Sequence, residues 1–216
     1  FNKKEKTMLL LDSAVPSEAE QASAWGWIDG ATTNPILLGK SGLPPKETLQ
    51  RLAAVIPGIV FYQLTAASED DMLAEAERAS VLLGEKAGFK IMPSLAGLAA
   101  CARLSEDYPC AMTAVYSPAQ AMAAEAAGAE YVIVYYRKLL EQAPDARERI
   151  DQILKTLAYG DCTPMAASIR SPEDAVSAAM NGFPALTVPF DVLRQLPESP
   201  LSSEAGANFA QNGVGV

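Results

Sequence analysis

Apolar and polar positions along this chain alternate in blocks. Short apolar runs are separated by longer segments rich in Ala and Glu. The runs lie at residues 8–11, 30–33, 60–64, 89–92, 110–114, 131–135, 164–167 and 185–188. Runs of this length, bounded by turn residues, predict strands. Several intervening segments read as helices. Residues 68–83 open with Ser68 as an N-cap and an acidic first turn of Glu69, Asp70 and Asp71, followed by an apolar stripe of Met72, Leu73, Ala76 and Leu83. Ser117-Pro118 opens a second helix that Gly128 ends, and Ser171-Pro172 opens a third that Gly182 ends. Strand then helix, repeated, predicts right-handed βαβ units and a parallel sheet. Eight such units in 216 residues predict a single α/β domain, a parallel (β/α)8 TIM barrel over residues 1–216. A doubly wound open sheet is the alternative. Residues 200–216 form a Ser-, Gly- and Asn-rich tail. The three Gly and two Asn after Ala205 make it a poor helix former by itself, so frayed or docked on a partner subunit with Phe209 as anchor are both open.

Composition narrows the chemistry. Half the residues are hydrophobic, enough for a sizeable core. The net charge of −9 argues against nucleic acid as a partner, while leaving room for a small anion in a local positive pocket. The three cysteines, Cys101, Cys110 and Cys162, form no CxxC pair, so a reducing, cytoplasmic setting is expected. The start of the chain is too short and polar for a signal peptide, and no apolar run is long enough to span a membrane. No GxGxxG or Walker motif is present. Nor is there any His, which excludes His bases and His-rich metal sites. Acid–base work falls to Lys, Tyr, carboxylates or a held water. No cofactor or metal is expected.

In a (β/α)8 barrel the chemistry lies at the C-terminal ends of the strands. Polar residues stand there on seven of the eight runs: Asp12, then Thr32, Thr33 and Asn34, then Gln63, Lys90, Thr113, Tyr135 and Ser168. Lys90, within the apolar Gly88-Phe89-Lys90-Ile91-Met92, is the most telling. A desolvated Lys loses its proton more readily and becomes an amine nucleophile. A strand Lys that snorkels to water would read the same way. Asp12 alone would be read as a turn or cap residue. Gln63 needs several partners if buried. Tyr135 and Tyr136 must face opposite ways. Arg137 and Lys138 would ordinarily be a solvated pair.

These positions also carry a pattern. Gly30-Ala31-Thr32-Thr33-Asn34-Pro35 resembles the G-[V/I]-T-[T/S]-N-P motif of transaldolases. Met112-Thr113-Ala114-Val115-Tyr116 with Gln120, Gly128-Ala129-Glu130-Tyr131-Val132, Ala166-Ala167-Ser168 and Thr187-Val188-Pro189-Phe190-Asp191-Val192 match in order. The resemblance, from about Leu9 to Leu196, is to the small-subunit branch of the transaldolase family, and within it to the fructose-6-phosphate aldolase type. It implies a (β/α)8 barrel with Lys90 as the Schiff-base residue on the fourth strand. By the same match Asp12, Thr32 and Asn34 orient the amine and sugar hydroxyls. Ser168 and a cation after strand six bind the distal anion of a sugar or sugar-phosphate substrate. Gln63 and Tyr135, where transaldolases usually carry Glu and Phe, imply the aldolase subtype, in which Gln63, Thr113 and Tyr135 hold a water. The resemblance further implies homo-oligomeric rings, pentamers or decamers.

Two departures stand out. The pattern has Lys-[I/V]-Pro after the Schiff-base Lys, but here Pro is displaced by one residue, to Pro93. At the anion site Lys138 replaces an Arg, with Arg137 and Arg170 nearby. Lys offers a point charge without the guanidinium fork. This leaves the anion open between phosphate, a sulfonate and a less charged group. The favoured reading is a class I aldolase acting through a dihydroxyacetone enamine. The alternatives are a transaldolase moving a three-carbon unit between sugars, and a non-catalytic sugar-phosphate-binding barrel.

Overall fold

Each of the eight apolar runs is a strand, and all eight close into one parallel barrel in sequence order. The computed structural model describes residues 6–215. The first residues of the chain, read above for a leader, lie outside the described part. The strands are β1 (Met8–Asp12), β2 (Gly30–Thr32), β3 (Val60–Gln63), β4 (Ala87–Ile91), β5 (Cys110–Val115), β6 (Tyr131–Tyr135), β7 (Thr163–Ala167) and β8 (Ala185–Val188). β1 pairs with β8, so the sheet has no edge and the open-sheet alternative fails. The strand ends differ from the expected runs by two residues at most, because apolar character does not mark where ladder pairing begins.

Helices cover the outside: α1 (Pro16–Ala24), α2 (Pro35–Lys40), α3 (Pro45–Val55), α4 (Glu69–Leu83), α5 (Leu95–Leu104), α6 (Pro118–Ala126), α7 (Tyr136–Gln142), α8 (Ala146–Leu157), α9 (Pro172–Met180), α10 (Phe190–Gln195) and α11 (Pro200–Asn212). The predicted caps form. Ser68, Ser117 and Ser171 accept from the backbone N–H groups of Asp71, Gln120 and Asp174. Gly182 ends α9 at φ +103, where a side chain would be strained. The tail is helical, contrary to its composition. Ser199 caps Ser202 N–H and Pro200 occupies the first turn, two start signals that outweigh the later Gly and Asn. α11 buries none of its residues against the barrel.

Two apolar layers hold the fold. One lies between the strands and the helices, with Leu11, Leu52, Ile91, Met112, Val134, Ile153 and Leu193 among its members. The other fills the barrel with Leu10, Phe61, Ala111, Tyr131, Ile133, Met165 and Ala185. Gly88 belongs to this interior. A Cβ there would stand 2.8 Å from the Phe61 ring and 2.6 Å from Ile59 Cγ2. The glycine therefore gives Phe61 its space, and Phe61 meets Tyr131 edge-on at 5.5 Å.

Candidate active site

Side chains alternate along a strand, so every second residue points into the barrel. Two residues beyond Leu10, Phe61, Gly88, Ala111, Ile133 and Ala185 stand Asp12, Gln63, Lys90, Thr113, Tyr135 and Thr187. The strands thus place a polar layer on an apolar floor. Register supports it: Asp12 lies beside Thr32, and Gln63 beside Lys90.

Lys90 is 2% exposed. Its Nζ donates to the Thr33 carbonyl at 3.0 Å. Thr33 is held in turn, its N–H and hydroxyl both donating to the Phe61 carbonyl. Burial pushes the Lys90 amine below its usual range, and the nearby Asp12 charge partly restores the ammonium. Asp12, at the barrel mouth, is shifted the other way. Desolvation raises it, while Lys90 and a hydrogen bond from Thr32 favour its ionised form. Thr32 Oγ1 donates to Asp12 Oδ1 at 2.9 Å and lies 2.6 Å from Thr187 Oγ1.

On β3 and β5, which flank β4, Gln63 Oε1 and Thr113 Oγ1 are buried with no partner of good geometry among the described residues. A buried acceptor without a partner is costly, so two in one layer point toward a ligand. Tyr135 is raised by desolvation, with Thr113 close enough to favour its ionised form. β5 slips register between Met112 and Val115, and Ala114 takes φ +57. This bulge sits immediately after Thr113, at the place where such irregularities re-aim side chains. Ser168, just beyond β7, takes φ +62, a second left-handed residue at the same mouth.

The remaining candidates divide. Asn34 caps α2, its Oδ1 accepting from Leu37 N–H at 2.9 Å, so its amide donors remain for a ligand. Lys138 lies 5.9 Å over the Tyr135 ring and makes no ion pair among the described residues. It borders a cavity of about 250 Å³ shared with Tyr116, Gln142 and Arg149. Arg137 and Arg170 are committed elsewhere. Both bind Glu141 Oε1, at 3.0 and 2.8 Å, and Arg137 also reaches Asp174 at 3.3 Å. Tyr136 turns outward, as alternation demands, to Ser177 and Asn181. The displaced Pro93 lies between β4 and α5. Ser94 caps α5, and the Met92 carbonyl accepts from Ser94 N–H at 2.8 Å. Thr187, read in the sequence only as part of a matching motif, and the Thr33 carbonyl were not among the candidate site groups. β8 was the one strand without a polar candidate, and a hydroxyl inside Ala185-Leu186-Thr187-Val188 was the signal.

Among the described residues no group of His, Cys, Asp and Glu could hold a metal ion, and no helix is long and apolar enough to cross a membrane. Residues 9–213 match the family model described as transaldolase/fructose-6-phosphate aldolase. A probable transaldolase of Aquifex aeolicus is 35% identical over 196 residues, 89% of each chain. One from Heliobacterium modesticaldum is 35% identical over 195 residues, covering 89% of this chain and 90% of that one. Among solved structures, mandelate oxidase with benzoyl-formic acid superposes at a TM-score of 0.64 and 18% identity, covering 95% of this chain and 74% of that one. At that identity the likeness concerns the barrel alone. The sequence relatives and the barrel agree, and the chain belongs to the transaldolase/fructose-6-phosphate aldolase family, enzymes of the class I aldolase and transaldolase type.

Proposed function

We propose that this enzyme cleaves and forms a ketose resembling fructose 6-phosphate through a Schiff base on Lys90. The observation that carries the reading is the buried Lys90 amine, depressed by desolvation and facing Asp12. With one N–H donated to Thr33, a neutral amine keeps its lone pair for attack. Lys90 Nζ adds to the ketone carbon, and loss of water gives the iminium. The hydroxyl proton beyond the scissile bond then leaves. The C–C bond breaks, the aldehyde departs, and the bonding electrons move to nitrogen as an enamine. Protonation at carbon and hydrolysis release a dihydroxyacetone-type ketone and restore Lys90.

A water held by Gln63, Thr113 and Tyr135 is the proton carrier in this scheme. The two unpartnered buried oxygens, Gln63 Oε1 and Thr113 Oγ1, support it. Asp12, Thr32 and Asn34 orient the amine and the sugar hydroxyls. Lys138 and Ser168 bind the distal anion, Lys138 making no ion pair among the described residues while Arg137 and Arg170 bind Glu141. The names of the relatives favour a second reading, in which the enamine is kept for an acceptor aldehyde and the unit is transferred. Gln63 and Tyr135 favour release.

Borohydride reduction in the presence of dihydroxyacetone and a panel of ketoses, followed by peptide mass mapping, tests the proposal. A three-carbon adduct on Lys90 is expected. A folded protein that yields no adduct with any donor refutes it. Free ketone formed without an acceptor aldehyde separates lyase from transferase.

A further inference from the structure

β8 contributes one hydroxyl to the barrel interior, and the proposed chemistry leaves it unused. Thr187 is 1% exposed in an otherwise apolar strand. A buried hydroxyl needs a partner. Its partner is Thr32 Oγ1 at 2.6 Å, and Thr32 donates to Asp12 Oδ1 at 2.9 Å. The direction of this chain is fixed by counting protons. An ionised carboxylate only accepts, so the single Thr32 proton is committed to Asp12. The 2.6 Å contact then requires Thr187 to donate. With Asp12 ionised, the order is Thr187 to Thr32 to Asp12. A donor behind a donor polarises it and strengthens the terminal bond.

We infer that Thr187 is a positioning residue that acts through Thr32 to keep the Asp12 carboxylate ionised and in place beside Lys90. The groups facing Asp12 are Lys90 from β4, which favours its charge, Thr32 from β2, and the phenol of Tyr135 from β6. None of them replaces the proton that Thr187 supplies to Thr32. Thr187→Val keeps shape and removes that proton. The Thr32 bond to Asp12 weakens, and the carboxylate is harder to ionise. Thr187→Ser retains the hydroxyl. A role in packing alone predicts the opposite ranking, since Val fills the space and Ser does not.

The inference takes its functional meaning from Asp12 acting beside a Schiff-base Lys90, so the test has two readouts. The first is the titration of the Asp12 carboxyl by NMR in protein carrying ¹³C-labelled Asp, which needs no substrate. Thr187→Val should raise its midpoint by roughly 0.1–0.5 pH unit, the partial weakening of a charged hydrogen bond that loses the donor behind it. Thr187→Ser should return it to the wild-type position. Thr187→Ala, smaller but equally without a donor, should behave as Val does and serves if the Val variant does not fold. The second readout is the rate of borohydride trapping of dihydroxyacetone on Lys90. Thr187→Val should lower it roughly tenfold near neutral pH, the size expected for one displaced polar contact. In an Asp12→Asn background the same substitution should change nothing. An unmoved Asp12 midpoint in both donor-less variants overturns the inference. So does an equal loss of trapping with and without Asp12. Failure of the wild type to trap at Lys90 sinks the Schiff-base mechanism instead, and the titration still decides whether Thr187 controls Asp12.

Discussion

Lys90 and Asp12 show what a buried charge costs a fold. Burial pushes the Lys90 amine down, so between its lowered value and about 10.4 the unfolded chain holds a proton that the folded chain has released. Stability therefore rises with pH through that window, by about 1.4 kcal/mol per pH unit where the difference is complete. Lys90→Met removes the penalty. The variant should form no adduct and melt above the wild type by roughly 2–4 °C per 1 kcal/mol recovered. Its advantage should shrink as melts are repeated toward pH 10, and a constant gap would mean that Lys90 is not desolvated. Tyr135 is a different case. If it grips the proton-carrying water, Tyr135→Phe should lower kcat by about 10²–10⁴ with little change in KM. A KM effect alone would place it on substrate binding.

At the scale of the element, a glycine's value depends on what surrounds it. On β4, Gly88 faces Phe61 and Ile59 with no room for a methyl group. Gly88→Ala should cost about 1–3 kcal/mol through overpacking, read as a lower urea midpoint at unchanged slope. Gly39, inside α2, has nothing within 4 Å of a built Cβ. Gly39→Ala should stabilise by roughly 0.5–1 kcal/mol in the same assay. The caps of α4, α6 and α9 were legible because a serine before a run of helix formers is a local signal, read from a few adjacent residues. The β5 bulge after Thr113 was not legible. Ala114 is an ordinary residue locally, and only pairing of β5 with β6 forces it to φ +57.

At the scale of the whole molecule, α11 stands apart from the barrel's packing. An isolated helix of this length is marginal in water, and α11 buries nothing against its own barrel. Phe209 on it is 71% exposed. We propose that a partner surface covers this helix in the ring-shaped oligomer that the family resemblance implies. Deleting residues 200–216 should leave barrel secondary structure intact by circular dichroism and lower the mass seen by sedimentation. An unchanged mass would assign α11 no part in assembly. The same scale separates the cations. The sequence offered Lys138, Arg137 and Arg170 together; Arg137 and Arg170 pair with Glu141 and Asp174, while Lys138 makes no ion pair among the described residues.

The eight strands and the polar residue at seven of their ends were determined by sequence alone, whereas closure into a barrel over an open sheet was decided by the pairing of β1 with β8. Apolar period, caps and turn residues are local, and a strand's C-terminal end is where a barrel gathers its chemistry. Lys90 by itself did not separate nucleophile from snorkelling side chain. Its 2% exposure and its bond to Thr33 exclude the snorkelling side chain, because desolvation is set by neighbours distant in the chain. The link from Thr187 through Thr32 to Asp12 joins residues up to 175 positions apart. Closure of β8 onto β1 brings them together, and a hydrogen bond between such distant residues leaves no periodic trace in a sequence.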